Sequence, residues 1–240
     1  MEPETQPTKR HWAREYFEAL LIAGIFLGFS NTFVVKTFFI PSGSMEQTLL
    51  IGDHLFVNRF VYGASPGELE KTLLPMRDLA RGDVVIFRSP QDPRTDLVKR
   101  CIGLPGDRVE IRRKVLYLNG EPVDDAGFAQ RLDSTVYPPR PSPLISSSQR
   151  RRDNLPPFEV PEGHFFFLGD NRDHSYDSRY WGPVPQRYIK GRAVVVYWSY
   201  GGESAVGVAE SATAQLERAV RTAGGLLTRT RWDRSFHIVR

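Results

Sequence analysis

The sequence predicts a mainly β protein behind one amino-terminal transmembrane helix, with a single helix near its carboxy terminus. Three observations give that class. Phe17–Val35 is apolar and, at about 1.5 Å per helical residue, just spans the hydrocarbon of a bilayer, which needs about 20 residues. Gly-Asp pairs at 52–53, 82–83 and 106–107 are each followed by alternating residues, the pattern of a turn feeding a strand. The stretches between them are short strands and turn signals, not alternating strands and helices.

Length and composition narrow the field. The 240 residues suffice for one good core plus appendages, or at most two small domains. Charged residues at 25% and hydrophobic residues at 40% are globular values, so disorder is not the theme. The net charge of +4 is modest and the arginines are scattered. No RNA-reading signature and no basic stretch interleaved with aromatics is present, which argues against nucleic acid and leaves anionic lipid as the better partner. The single cysteine, Cys101, cannot close an internal disulfide and does not fix the compartment. None of the five histidines has metal-ligand spacing, so neither a metal nor another cofactor is expected.

Residues 1–15 read as a polar cytoplasmic amino terminus, with Lys9, Arg10 and Arg14 ahead of a signal anchor at 16–36. Basic residues before the span place that end in the cytoplasm and export the remainder. Trp12 and Tyr16 suit the near interface, and Lys36 can snorkel to the far one. The clean apolar core, Ala19–Phe29, is also short enough for a cleaved signal peptide. Against cleavage, Ser30-Asn31-Thr32 is a poor small-x-small site, and apolar Phe33–Phe39 runs straight past it. Glu18 and Asn31 keep a third reading, a buried core helix, open.

Next comes Ile40-Pro41-Ser42-Gly43-Ser44-Met45-Glu46-Gln47-Thr48-Leu49, a small-residue turn. Pro41 fixes its start, and Gly43 allows a tight bend and close approach of another chain. Ser44 is the candidate nucleophile. A serine hydroxyl is weak alone and needs a base within hydrogen-bond reach. Standing by itself, Ser-Gly-Ser is an ordinary loop.

The body at 37–123 and 158–240 is assigned to one catalytic β domain. His54–Val57, Val84–Phe87 and Arg108–Ile111 follow the Gly-Asp turns, and Asn119-Gly120 between Val115–Leu118 and Glu121–Val123 is a strong hairpin signal. Phe165–Leu168 and Ala193–Trp198 are further strands. Residues 124–157, rich in Pro, Ser, Arg and Asp, are expected to be a peripheral insertion with little core of its own. Its Arg150-Arg151-Arg152 run reads as a solvated face, with lipid head groups as the sharper alternative. Ala209, Ala212, Leu216, Ala219, Val220 and Ala223 share helical spacing, and Gly224-Gly225 would stop that helix.

Lys99 lies within Leu97-Val98-Lys99-Arg100-Cys101-Ile102, where a lysine is out of place unless the strand edge is wet or the amine has work to do. Burial would lower its pKa from about 10.4 by roughly 2–3 units, about 3–4 kcal/mol, giving a neutral amine able to take a serine proton. A snorkelling strand-edge lysine is the plain alternative. Gly169–Gly182 alternates its charges, so an Asp177–Arg179 ion pair is a plausible tie. As a calcium loop it fails, because Arg172 and His174 fall at ligand positions. A Ser-His-Asp triad remains open, with His174 as base and Asp170, Asp173 or Asp177 as its orienter.

In this order and behind an anchor, the three stretches resemble the bacterial type I signal peptidases, the membrane-bound leader peptidases of the S26 serine peptidases. The resemblance runs from the anchor through Trp198. Pro41–Met45, Lys99-Arg100 with Gly103–Asp107, and Gly169–Gly182 are matching boxes whose conjunction is specific. It implies a fold of antiparallel sheets and a Ser-Lys dyad of Ser44 and Lys99. The Ser42 hydroxyl and Ser44 N–H would hold the oxyanion, Ser175 would hydrogen-bond the lysine, and Asp177 with Arg179 would support the region. Phe38, Ile40, Met45, Leu49, Leu97 and Val98 would line pockets for Ala-x-Ala-like cleavage sites. Implied partners are preprotein signal peptides and the lipid bilayer, with the secretion translocon nearby. The implied location is the bacterial inner membrane, single-pass, with the catalytic domain on the outer face. This chain departs from the pattern at Gln47, where proline is common, and at His174, where asparagine is frequent. Two other readings stay open: a Ser-Lys protease that cleaves itself or one dedicated partner, and a non-enzymatic anchored β domain that binds envelope partners.

Overall fold

The three Gly-Asp pairs close one and the same turn in the computed structural model, which describes residues 10–29, 35–58, 78–201, 224–225 and 228–239. Gly52, Gly82 and Gly106 have φ of 93°, 88° and 82°, left-handed values that strain any residue with a Cβ. The aspartate after each glycine sends its carboxylate back to the N–H three residues earlier, Asp53 to Leu50, Asp83 to Ala80 and Asp107 to Leu104, at 2.9, 2.9 and 2.7 Å. A repeated dipeptide thus sets the start of three strands.

Those strands join others in two antiparallel sheets. The larger contains β1 (Val35–Phe39), β2 (Asp53–Asn58), β3 (Val84–Arg88), β4 (Asp96–Gly103), β9 (His164–Leu168), β10 (Val184–Pro185), β11 (Ile189–Ser199) and β12 (His237–Ile238). Its order is β1-β2-β11-β3-β4-β9-β10, with β12 also on β11. The smaller has β5 (Arg108–Arg112), β6 (Val115–Leu118), β7 (Glu121–Pro122) and β8 (Leu155–Glu159) in the order β7-β6-β5-β8. Asn119-Gly120 makes the expected β6–β7 hairpin. Alternation along β2 buries Leu55 and Val57, so that one face meets Ile40, Met45, Leu49 and Val196 in a first apolar layer. Val85, Phe87, Cys101 and Phe167 form a second layer, and Ile102, Phe166 and Leu168 meet Val109, Ile111 and Leu116 of the small sheet in a third.

The amino-terminal segment departs from expectation at both ends. Helix α1 begins at Arg10 and runs to Phe29. Residues 30–34 lie outside the described part. Val35 and Lys36, assigned to the anchor from sequence, belong instead to β1, with Lys36 opposite Val57. Val-Lys-Thr-Phe-Phe is β-branched and aromatic, and pairing with β2 satisfies its backbone. Among the described residues no helix is long and apolar enough to cross a membrane, because Arg14, Glu15 and Glu18 occupy the first half of α1. Its apolar side chains from Phe17 to Ile25, including Leu20, Leu21 and Ile22, are nevertheless exposed.

The expected carboxy-terminal helix at 209–223 falls outside the described residues. Gly224 and Gly225 are themselves helical. Beyond them the chain returns to the core: Tyr200 and Thr230 form a bridge, β12 pairs with β11, and Val239 is only 2% exposed, in the layer that holds Met45 and Leu49.

Within 124–157, helix α2 (Ser147–Asp153) starts on a capping box made by Ser146 and Gln149. Most side chains there are exposed, as expected, but charge ties the segment to the rest. Arg152 pairs with Asp133 and Asp153 at 2.9 and 2.7 Å, while Asp125 pairs with Arg131 and Arg172. The arginine run is therefore only partly a solvated face, because Arg152 is consumed by carboxylates.

Candidate active site

Ser44 sits in a 3-10 turn, Gly43–Met45, between β1 and β2. Hydrogen bonds from Glu46 N–H to Gly43 O (3.2 Å) and from Leu49 N–H to Met45 O (2.7 Å) close the bend. Met45 and Leu49 anchor it from below in the first apolar layer. From outside, Asn171 N–H donates to Ser44 O at 3.1 Å and Asn171 Nδ2 to Gly43 O at 3.3 Å. The nucleophile candidate is thus fixed by packing on one side and by main-chain bonds on the other.

Lys99 comes from β4, and its Nζ lies 2.6 Å from Ser44 Oγ and 3.0 Å from Val98 O. It is 3% exposed. Burial pulls its pKa down to about 8; the carboxylates of Asp177 and Asp170 act the other way, and Arg179 adds to the lowering. Desolvation wins because the amine has apolar neighbours and no contacting carboxylate. The neutral form of such an amine carries a free lone pair and is a base.

Ser42 occupies the position before the turn in extended conformation, φ −134° and ψ 152°, and its hydroxyl caps no backbone group. The Ser44 N–H is in the first turn of the helix, where N–H groups have no intrahelical acceptor.

The Gly169–Gly182 loop closes over the turn. A Cβ on Gly169 would overlap Ser175 Oγ and Ser44 O, so this backbone approach requires glycine. Asp177 and Arg179 form a buried bidentate pair, with Nε–Oδ1 and Nη2–Oδ2 both 2.8 Å. Burial pushes the Asp177 carboxyl up, but the Arg179 charge and hydrogen bonds from Arg179 and Gly169 N–H outweigh it and hold the acid ionised. Asp177 also caps α3 (Ser178–Trp181). Arg179 donates onward to Arg172 O at 2.7 Å and Ser175 O at 3.3 Å.

Ser175 does not make the implied bond to Lys99. Its hydroxyl is buried without a partner of acceptable geometry, packs against Gly169, and lies near enough to Asp177 to assist that carboxylate. The Lys99 amine is already engaged by Ser44 and by Val98 O of its own strand. His174 is exposed, and the side-chain nitrogen hydrogen-bonded to Ser44 Oγ is Lys99 Nζ.

The six residues expected to line a pocket do not share one surface. Ile40, Met45 and Leu49 are packed core, while Phe38 and Val98 are half-buried against that same layer. Leu97 packs into the second layer, because neighbours on a strand face opposite ways. Of the six, Phe38 and Val98 are the partly buried residues packed against the layer that holds Met45 and Leu49.

Four residues matter more than their sequence context indicates. Arg100 makes a buried bidentate pair with Asp170, at 2.8 and 2.7 Å, and both residues bind Thr48 Oγ1. This clamps the serine turn to β4 and to the third box, and Asn171 adds the bonds described above. Arg100 beside Lys99 was legible as part of a motif, and Asp170 only as a candidate orienter of histidine. Nothing in the sequence marks Thr48. Among the described residues no group of histidine, cysteine and acidic side chains could hold a metal ion.

The family model described as signal peptidase, peptidase S26, matches residues 13–198. The chain is 35% identical over 215 residues to signal peptidase I of Pseudomonas aeruginosa, covering 81% of this chain and 74% of that protein. It is 31% identical over 251 residues to signal peptidase I of Haemophilus influenzae, covering 80% and 71%. For signal peptidase I of Rickettsia typhi the identity is 34% over 192 residues, with 69% and 73% covered. Among solved structures, a signal peptidase I from Enterococcus faecalis is 31% identical, with a TM-score of 0.36 and 48% of this chain and 97% of that one covered.

Proposed function

This chain belongs to the peptidase S26 family of signal peptidases, and from that premise we propose that it removes signal peptides from exported preproteins with a Ser-Lys dyad, at the outer face of a bacterial cytoplasmic membrane. Ser44 Oγ attacks the scissile carbonyl while neutral Lys99 takes its proton. The lysine returns that proton to the leaving amine, and water activated by Lys99 then hydrolyses the acyl-enzyme. Ser42 and the Ser44 N–H stabilise the developing oxyanion; each such donor is commonly worth about 3–4 kcal/mol. The observation that carries the reading is the 2.6 Å approach of a buried Lys99 Nζ to Ser44 Oγ.

Two further features support it. Among the described residues β1 pairs with β2 alone and β9 meets β4 from Arg100 onward, so no described strand lies beside the Asp96–Lys99 half of β4 on that side. An extended preprotein can add to such edges through its main chain, which tolerates varied sequences. Phe38 and Val98 are partly buried apolar residues that could meet small side chains such as those of Ala-x-Ala sites. The exposed apolar side chains of α1 between Phe17 and Ile25 support a membrane anchor, which would hold the site beside the bilayer.

Purified full-length protein and an Ala-x-Ala preprotein peptide test the mechanism. Lys99→Ala should lower kcat/KM by about three orders of magnitude or more, while His174→Ala should leave it within about twofold. The reverse pattern, with both variants folded by circular dichroism, would discard the dyad in favour of a histidine base.

A further inference from the structure

Two carbonyls flank the candidate nucleophile, Gly43 O before it and Ser44 O itself, and Asn171 holds both. Its N–H donates to Ser44 O at 3.1 Å, and its side-chain Nδ2 donates to Gly43 O at 3.3 Å. Glu46 completes the arrangement. Its N–H donates to the same Gly43 O at 3.2 Å, and its carboxylate accepts from Asn171 Nδ2 at 3.3 Å. A side-chain amide nitrogen carries two hydrogens, and one acceptor for each fixes how the group is turned. Asn171 is only 2% exposed. Its neighbours are tied down as well: Gln130 N–H donates to Asp170 O at 2.7 Å, and Arg172 N–H donates to Gln130 O at 2.9 Å.

A trans peptide is planar, so its C=O and its N–H point opposite ways. The Gly43–Ser44 peptide is trans. With Gly43 O turned toward Asn171 and Glu46, the Ser44 N–H faces away from both. Among the described residues no group accepts a hydrogen bond from that N–H, which leaves it for an oxygen that a substrate brings. The competing state is a half-turn of this one peptide. Gly43 has no Cβ to hinder the rotation. A flipped peptide would present Gly43 O, an acceptor, where the mechanism needs a donor, and would repel an oxyanion.

We propose that Asn171, its amide oriented by Glu46, is the positioning residue for the oxyanion donor: it keeps the Gly43–Ser44 peptide from flipping and the Ser44 N–H aimed at the tetrahedral oxygen. This role rests on the Ser44 mechanism proposed above, and it adds two residues outside the dyad and Ser42. Neither side chain acts on the scissile bond. Both act through the peptide they hold, so their loss weakens binding of the transition state and spares binding of the substrate.

Kinetics of the full-length protein on an Ala-x-Ala preprotein peptide, with the matching peptide aldehyde as inhibitor, test the role. The adduct of Ser44 Oγ with the aldehyde carbon, the hydroxyl proton passing to Lys99, carries an oxyanion where the tetrahedral intermediate does. Asn171→Ala should lower kcat about 10–100-fold and weaken aldehyde inhibition by a similar factor, with KM within about twofold. The apparent pKa near 8 should stay in place, because the Lys99 amine is untouched. Glu46→Ala should show the same pattern more mildly, about three- to tenfold. Glu46→Gln, which keeps an acceptor for the amide, should recover most of that loss. Glu46 is exposed, so its variants carry the test if Asn171→Ala does not fold. Kcat and aldehyde affinity unchanged in both alanine variants, or a rise in KM alone, would overturn the role. A shifted pH profile would overturn it too, by placing the effect on Lys99. An active wild type that needs Lys99 but ignores both substitutions sinks this role alone; a wild type that does not cleave takes the underlying mechanism with it.

Discussion

A lysine kept in apolar surroundings costs the fold something. The fall in the Lys99 pKa from 10.5 to about 8 corresponds to roughly 3 kcal/mol at neutral pH. The folded-state value is depressed, so the penalty is fully present below about 8. It fades as pH rises toward the unfolded value, a window in which the unfolded chain binds more protons. Two predictions follow at this scale. The pH profile of kcat/KM should rise with an apparent pKa near 8 as Lys99 becomes neutral; a profile flat from pH 6 to 9 would contradict the assignment. Lys99→Met, inactive, should melt at a higher temperature than wild type at pH 7, with the gap closing toward pH 10. A lower Tm at every pH would instead mean a charged, paired amine. Lys99 was legible because its neighbours Leu97, Val98 and Ile102 are apolar. The Ser175 bond was not, because residue type says nothing of which way a hydroxyl turns.

At the level of elements, the Gly169–Gly182 loop and the serine turn form one unit. Gly169 has no room for a methyl group between Ser175 Oγ and Ser44 O. Gly169→Ala should therefore displace Ser44, the proposed nucleophile: a drop of tenfold or more in kcat with little change in KM, and a stability loss of about 1–3 kcal/mol measured by denaturant unfolding. Unchanged kinetics would show that the turn relaxes independently of the loop. The Gly-Asp turns and the Asn119-Gly120 hairpin could be read directly, since each is a local conformational demand met by specific residues. The 124–157 segment could not. Its order comes from ion pairs such as Arg152–Asp133 and Arg172–Asp125, whose partners are distant in sequence or indistinguishable among many charges. The same holds for the Arg100–Asp170 clamp on Thr48.

For the whole molecule, carboxylates set the acid limit. Asp107, Asp125, Asp173 and Asp177 each feel burial pushing their pKa up, and each is held below the ordinary range by basic partners and hydrogen bonds. A depressed folded-state pKa means stability that is present above the usual carboxylate range, near 4, and lost as pH falls through the folded values. Thermal melts between pH 7 and 3 should show Tm falling steeply below about 4. Asp177→Asn should flatten part of that fall from an already lowered plateau, whereas a wild-type Tm independent of pH across this range would exclude the network as a stabilising element. At this scale the sequence revealed the strands but not their neighbours. That β11 lies between β2 and β3, and that β4 takes β9 on its other edge, are long-range pairings that no local pattern encodes.

Val239, nearly sealed beneath Met45 and Leu49, and β12 just before it have a practical corollary. An affinity handle fused close behind Val239 would tug on the floor under Ser44 and could impair the enzyme without touching a reacting group. A handle ahead of Arg10 would hang from α1, none of whose described residues belongs to that layer, and is the better choice for preparing active material.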